Sequence, residues 1–394
     1  MRFKNKGRKI YKTKEKNYYG KSPVGKVFSV GLTLLLVGGI GFIGYSVAEP
    51  ILKYTKKAGD KDITQPVTMA TEPLTDESSS GKPNGVPEAE MLKGYALSVN
   101  DMVNREILNT ALARIPEDYG IEYVEVPLKV SGGKIYYASG VFTAVQSGAA
   151  AEGNMPLGEI SSAITQAGYK PMALISTFND NIAPATIHEI GYTTYTDGIQ
   201  WIDDDAEAGG KPWASPFSTT AVNYNINIID EVSGAGFGKV ICSDFVFPEF
   251  RSTDVEILGE HVISPDRYMA LTSAANTLYE HITNKGSSMI LEVSAADILS
   301  GKSDIMQPML LKVNTLILDI NIDEIKYGVS TGDTVYDFSG AAAYNVDKML
   351  DLIWDEISGF NVVVKITGQN YNPSDTARIV EKLSEREINS YILS

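Results

Sequence analysis

The chain has 394 residues, 43% hydrophobic and 21% charged, a composition that supports a large buried core and excludes a wholly disordered chain. Its formal net charge of −15 argues against a nucleic-acid partner, which requires a basic footprint. The single cysteine, Cys242, excludes an intramolecular disulfide and reads as a small buried apolar residue in a strand.

Residues 1–26 hold ten Lys or Arg against one acid, Glu15, so they read as a basic tail and the rest of the chain carries the acidic excess. The stretch "GKSPVGKV" (20–27) nearly copies a phosphate-binding loop. Val27 stands where a hydroxyl is needed, Pro23 interrupts it and no strand precedes it, so it is discarded. Residues 27–48, "VFSVGLTLLLVGGIGFIGYSVA", carry no charge and are long enough to cross a bilayer as a helix. Basic residues before this run and acids after it predict a single-pass protein of the cell membrane. Its N-terminus would be cytoplasmic and its body extracellular. A cleaved signal peptide is the rival, with Ser46 and Ala48 at small-residue spacing, although the apolar run exceeds a usual signal core. An exported chain without disulfides suits a Gram-positive envelope. Residues 49–90 are rich in Lys, Thr, Ser, Pro, Gly and acids and read as a disordered linker.

From residue 91 onward, short Val/Ile/Leu-rich runs alternate with helix-like stretches. Strands are predicted at 93–99, 121–128, 171–176, 240–246, 289–294, 315–320, 361–367 and 389–393. Helices are predicted near 101–114, 156–168, 219–235, 266–285, 303–311, 344–358 and 374–387. Eight strands in this alternation predict an α/β fold, a (β/α)8 TIM-like barrel over 91–394. An open doubly wound sheet is the alternative. The intervals after strands two and three (129–155 and 177–219) are long, and loops after strands form the working face of a barrel.

Polar residues collect at those strand ends. Lys129 follows the second strand, Asp180 the third, Asp244 lies in the fourth, Glu292 in the fifth with Asp297 beyond it, and Asp319 in the sixth. A carboxylate in an apolar strand such as "KVICSDFVFPEF" (239–250) needs a neutralising partner or a use. Paired carboxylates across a cleft are the equipment of glycoside hydrolysis: one protonates the leaving oxygen, and the other attacks the anomeric carbon or activates water. Asp244, Glu292 and Asp297 are the catalytic candidates. Pairing with Lys129, Arg251 or Lys365 is the structural alternative for any of these acids. Trp201, Trp213, Tyr192 and Tyr195 share one loop region and could stack on sugars or pack the loop. The acidic loop 201–210 does not match a calcium-binding loop. His188, His261 and His281 match no zinc motif. Neither a metal nor a cofactor is expected.

The block "PWASPFSTTAVNYNINIIDEVSGAGFGKVICSDFVFP" (212–248) resembles a glycosyl hydrolase domain family of Gram-positive bacteria, a barrel family of largely unassigned function. Trp213, Pro216, Phe217, Tyr224, Asn225, Gly236, Phe237, Asp244, Phe245, Phe247 and Pro248 fill most of its pattern. "YVEVPLKVSGGKIYYAS" (123–139) and "AGYKPMALISTFNDNIAP" (167–184) are similar to its second- and third-strand regions. The resemblance implies a carbohydrate polymer as partner, with Trp213, Tyr224, Asp180, Lys129 and Asp319 as substrate-binding candidates. Val246 stands where the family has Arg, Ser215 where it has an acid, and Val130 where an Asp follows the Lys. Two readings follow: a membrane-anchored hydrolase of a surface or wall polysaccharide, or a degenerate barrel that serves as an envelope scaffold binding a glycan or a protein.

Overall fold

The computed structural model describes residues 91–368 and 373–394. The basic tail, the apolar run 27–48 and the linker 49–90 lie outside the described residues. Among those described, no helix is long and apolar enough to cross a membrane.

All eight predicted barrel strands form. They are β1 (Lys93–Ala96), β2 (Tyr123–Lys129), β3 (Lys170–Ser176), β4 (Lys239–Ser243), β5 (Ser288–Ser294), β6 (Thr315–Asn321), β7 (Asn361–Thr367) and β8 (Tyr391–Leu393). Every adjacent pair is parallel, and β1 pairs with β8 through Lys93–Tyr391, Gly94–Ile392 and Tyr95–Leu393. That seam closes the sheet and excludes the open alternative. Parallel strands covered on both faces need continuous apolar runs, which these segments have.

Side chains two residues apart point the same way along a strand. Leu92, Tyr123, Met172, Ile241, Ile290, Ile317, Val363 and Ile392 therefore meet as one separate apolar cluster inside the barrel. Gly94 belongs to this inner set; a Cβ there would lie 3.1 Å from Ile392 Cγ1, so the bare backbone leaves room for that packing. The outward positions join the larger core beneath the helices.

One main helix follows each of the first seven strands, beside shorter helical turns in the loops: α1 (Arg105–Leu112), α2 (Leu157–Gln166), α3 (Thr219–Gly234), α4 (Asp266–Asn284), α5 (Ala295–Ser300), α6 (Ala342–Ile357) and α7 (Pro373–Glu385). In α3, Ala221, Tyr224, Asn225, Ile228, Ile229 and Val232 recur at helical spacing and are buried, and the Ser218 side chain caps the first turn. The helix predicted at 303–311 is not there. Gly301, at φ +72°, ends α5 in a left-handed cap, and the chain then runs through turns that contain Pro308. The loop after β6 holds an unpredicted hairpin, Val329–Thr331 with Thr334–Tyr336.

The loops after β2 and β3 are long, as expected. The second folds around a satellite aromatic cluster of Tyr192 and Trp201 with Leu258 and Val262, against which Trp213, Phe217, Phe247 and Phe250 pack. Tyr192 meets Trp201 and Phe250 edge-on at 5.7 and 5.3 Å. Most of the aromatics in this region thus hold the loop together, while Tyr195 stays 72% exposed.

Candidate active site

Above the inner apolar layer, the inward alternation continues with polar residues. Glu125 follows Tyr123 by two positions, Ser243 follows Ile241, Glu292 follows Ile290, Asp319 follows Ile317, and Lys365 follows Val363. Five strands thus bring a polar side chain to the C-terminal end of the barrel, where TIM barrels carry their chemistry.

Lys365 sits at the centre of this layer. Its Nζ donates to Glu125 Oε1 at 2.6 Å and to Glu292 Oε2 at 2.8 Å. The Lys365 and Glu125 side chains are 6% and 2% exposed, and Glu292 keeps 11%. Two carboxyls share one ammonium, so ionising both would leave a net negative charge in a poorly solvated place. Burial pushes the Glu292 carboxyl up to about 8, against the pull of Lys365 and with help from the charges of Glu125 and Asp319. Burial opposes the charge on Lys365, but Glu125, Glu292 and Asp319 outweigh it and hold the ammonium protonated. The cluster therefore keeps a proton on Glu292 near neutral pH. Asp319 accepts the Thr367 hydroxyl at 2.7 Å.

Asp244 is the first residue beyond β4, and its φ of +56° lies in the left-handed region. Asp tolerates this conformation better than most side chains, and such residues concentrate at functional sites. This turn ends β4 three residues before the predicted boundary. The Asp244 carbonyl accepts from Thr177 Oγ1 (3.1 Å) and from the Phe178 N–H (3.2 Å). Its side-chain Oδ2 accepts the Ser131 hydroxyl at 2.6 Å.

Asp297 lies in the first turn of α5. Burial raises its carboxyl; Lys302 opposes the rise and the charge of Asp244 adds to it. Glu324 is raised by burial and by the charges of Asp297 and Asp319. Asp244 thus acts on Asp297, Asp297 and Asp319 act on Glu324, and Asp319 acts on Glu292, so these acids make one acidic mouth at the strand ends. Among the described residues, no group of three or more His, Cys, Asp or Glu is arranged to hold a metal ion.

Other predicted site residues lie elsewhere. Lys129 and Asp180 pair at 3.0 Å with no side-chain exposure. Lys129 also donates to Ser176 O (2.9 Å) and Asn225 Oδ1 (3.2 Å) and lies 5.0 Å over the Tyr224 ring. Tyr224 is 2% exposed. The structure brings these three substrate-binding candidates together, in an enclosed network beneath the loops after β2 and β3. Trp213, half-buried, donates its indole N–H to Asp203 Oδ2 at 2.7 Å and braces the loop after β3. His281 contacts Asp230 at 2.7 Å between α4 and α3. Ser131 escapes the sequence reading because a Ser-Gly-Gly turn after a strand looks like an ordinary connection. Lys365 and Glu125 leave a clearer signal, each standing two residues past an inward apolar residue.

Among solved structures, the chain is 12% identical to the PgaB (BpsB) glycoside hydrolase domain from Bordetella bronchiseptica, covering 77% of this chain and 94% of that one at a TM-score of 0.49. It is 8% identical to the glycoside hydrolase domain of PelA from Pseudomonas aeruginosa, with the same coverages and a TM-score of 0.38. A hypothetical protein from Ruminiclostridium thermocellum ATCC 27405 is 16% identical, covering 50% of this chain and 96% of its own, with a TM-score of 0.38. These likenesses add no weight to the barrel already evident from the strand pairing. A search of curated proteins gives no match. A family model matches residues 95–298, a span that includes Glu125, Ser131, Asp244, Glu292 and Asp297. The chain belongs to the family described as "Putative glycosyl hydrolase domain".

Proposed function

We propose that the barrel hydrolyses glycosidic bonds in a surface or cell-wall polysaccharide, tethered to the membrane through residues 27–48 with its body outside the cell. The observation that carries this reading is the contrast within the mouth. Glu292 retains a proton near neutral pH, while the Asp244 side chain accepts the Ser131 hydroxyl through Oδ2. Glu292 would protonate the leaving oxygen, and Asp244 would attack the anomeric carbon or activate water. Asp297 is the alternative acid, since burial and the charge of Asp244 raise it too. The acid-rich mouth favours a neutral or cationic sugar over a polyanionic one.

The test is release of reducing ends by the full chain from a panel of neutral, cationic and anionic polysaccharides. Asp244→Asn should lower turnover of any cleaved polymer by at least about a thousandfold. Unchanged turnover would remove Asp244 from the mechanism. Replacing residues 27–48 with an unrelated anchor should leave surface activity intact.

One observation favours a second reading. Lys365 ties Glu292 into an ion cluster with Glu125, as expected of a barrel that binds glycan without cutting it. Saturable glycan binding with no product, equally strong in Asp244→Asn, would support that scaffold role.

A further inference from the structure

The turn after β2 is held more firmly than a connection requires. Gly133 N–H donates to Val130 O (2.9 Å) and Val130 N–H to Lys134 O (3.0 Å), so the chain reverses tightly over 130–134. The turn also docks on the loop after β3: Gly132 N–H donates to Asn179 O (2.8 Å), and Gly132 O accepts from Asn181 N–H (3.2 Å). Gly133 has φ +93°, and a Cβ there would run into the Asp180 carboxylate. Glycine alone meets both conditions.

Beneath the turn lies the enclosed Lys129–Asp180 pair. Asp180 Oδ1 accepts the N–H groups of Ile182 and Ala183, each at 3.0 Å, and Lys129 holds the other carboxylate oxygen. Separating these charges would strand one of them without water, so the turn is fixed from below. Ser131 stands at its tip, exposed, with its hydroxyl against Asp244 Oδ2. Asp244 is gripped a second time through its carbonyl by Thr177 and Phe178 of the same β3 loop.

We propose that Ser131 is a positioning residue of this site: the turn clamped over the Lys129–Asp180 pair holds its hydroxyl on one oxygen of Asp244 and leaves the other to face the substrate. The effect on turnover rests on the hydrolase reading above; the contact does not. A hydroxyl donated to a carboxylate at this length is a charge-assisted bond that fixes the carboxylate plane. It also gives the Lys129–Asp180 pair a purpose without requiring either residue to meet a sugar.

The experiment compares Ser131→Ala and Ser131→Thr with the unaltered full chain. Ser131→Ala should lower kcat roughly tenfold to hundredfold while KM stays within about twofold, and Ser131→Thr should recover most of the loss. A parallel measurement needs no activity. With 13C-labelled aspartate, the carboxylate infrared band of Asp244 is the one lost in Asp244→Asn. It should shift in Ser131→Ala and hold its place in Ser131→Thr. A band that does not move in Ser131→Ala overturns the proposal. So does an unchanged kcat in an enzyme that Asp244→Asn inactivates. If Asp244→Asn leaves turnover intact, the hydrolase reading falls, and the infrared band still decides whether Ser131 holds Asp244.

Discussion

Under the loops after β2 and β3, Lys129 meets one carboxylate, Asp180, and neither side chain has any exposed surface. Inside the barrel, Lys365 meets two, Glu125 and Glu292, and Glu292 keeps 11% of its side-chain surface open. The first cluster is balanced and closed, with each oxygen of Asp180 already engaged. The second has one carboxyl too many for its ammonium and a route to solvent. Charge balance with no solvent access marks a cluster that holds structure. A surplus acid with access marks one that can trade a proton. Both are buried ion pairs by the usual criterion, so burial alone does not separate them.

The sharpest way to break this contrast is to remove each lysine. Lys129→Met leaves Asp180 charged and enclosed and should cost about 3–5 kcal/mol of unfolding free energy, measured by denaturant titration. Adding Asp180→Asn should recover part of that loss. Lys365→Met should cost less, about 1–3 kcal/mol at neutral pH, because Glu292 already holds a proton and keeps some access to solvent. Its cost should shrink as pH falls. Equal losses for the two variants would erase the distinction.

The pH dependence tests the proton itself. Glu292 is raised in the folded chain from its ordinary 4.5 to about 8. Its contribution to stability is therefore complete below the unfolded value and is lost as pH rises through about 8. Thermal unfolding across pH 5–9 should show that decline in the unaltered chain and a flatter profile in Glu292→Gln. If Glu292 is the acid of turnover, kcat/KM should fall above about pH 8. An alkaline limb unchanged in Glu292→Gln would transfer the role to Asp297. The smallest effect is expected at an exposed position outside both clusters: Tyr327→Ser, at a side chain 82% exposed, should change stability by no more than about 0.5 kcal/mol.

The barrel was legible because each strand is a short apolar run, and a parallel strand needs no more than that. The helix expected at 303–311 misled because Ile305, Met306, Met309, Leu310 and Leu311 supply apolar residues near helical spacing. Gly301 and Pro308 carry the opposing signal, and backbone geometry prevailed. The acids of the site were legible as misplaced charges, and Lys129 and Lys365 as cations that could pair with them, but which acid meets which lysine was not. Lys365 reaches Glu125 across 240 positions and Glu292 across 73, distances over which spacing conveys nothing. Asp180 looked like a loop acid open to a ligand, because a sequence does not reveal that the turn at Gly132 and Gly133 closes over it.

The seam between β1 and β8 carries a kinetic consequence. Leu92 N–H donates to Ser390 Oγ at 3.0 Å, and Tyr391 N–H donates to Leu92 O at 2.8 Å. These contacts join the two ends of the domain, so the sheet gains its last ladder only when its last strand has been made. Until then β1 and β7 each present a bare hydrogen-bonding edge, and a nascent barrel with two such edges is open to pairing with a neighbouring chain. Late closure concentrates the aggregation hazard in the interval before residues 391–393 arrive. Three short residues at the end of the fold thus govern how long the chain remains vulnerable while folding.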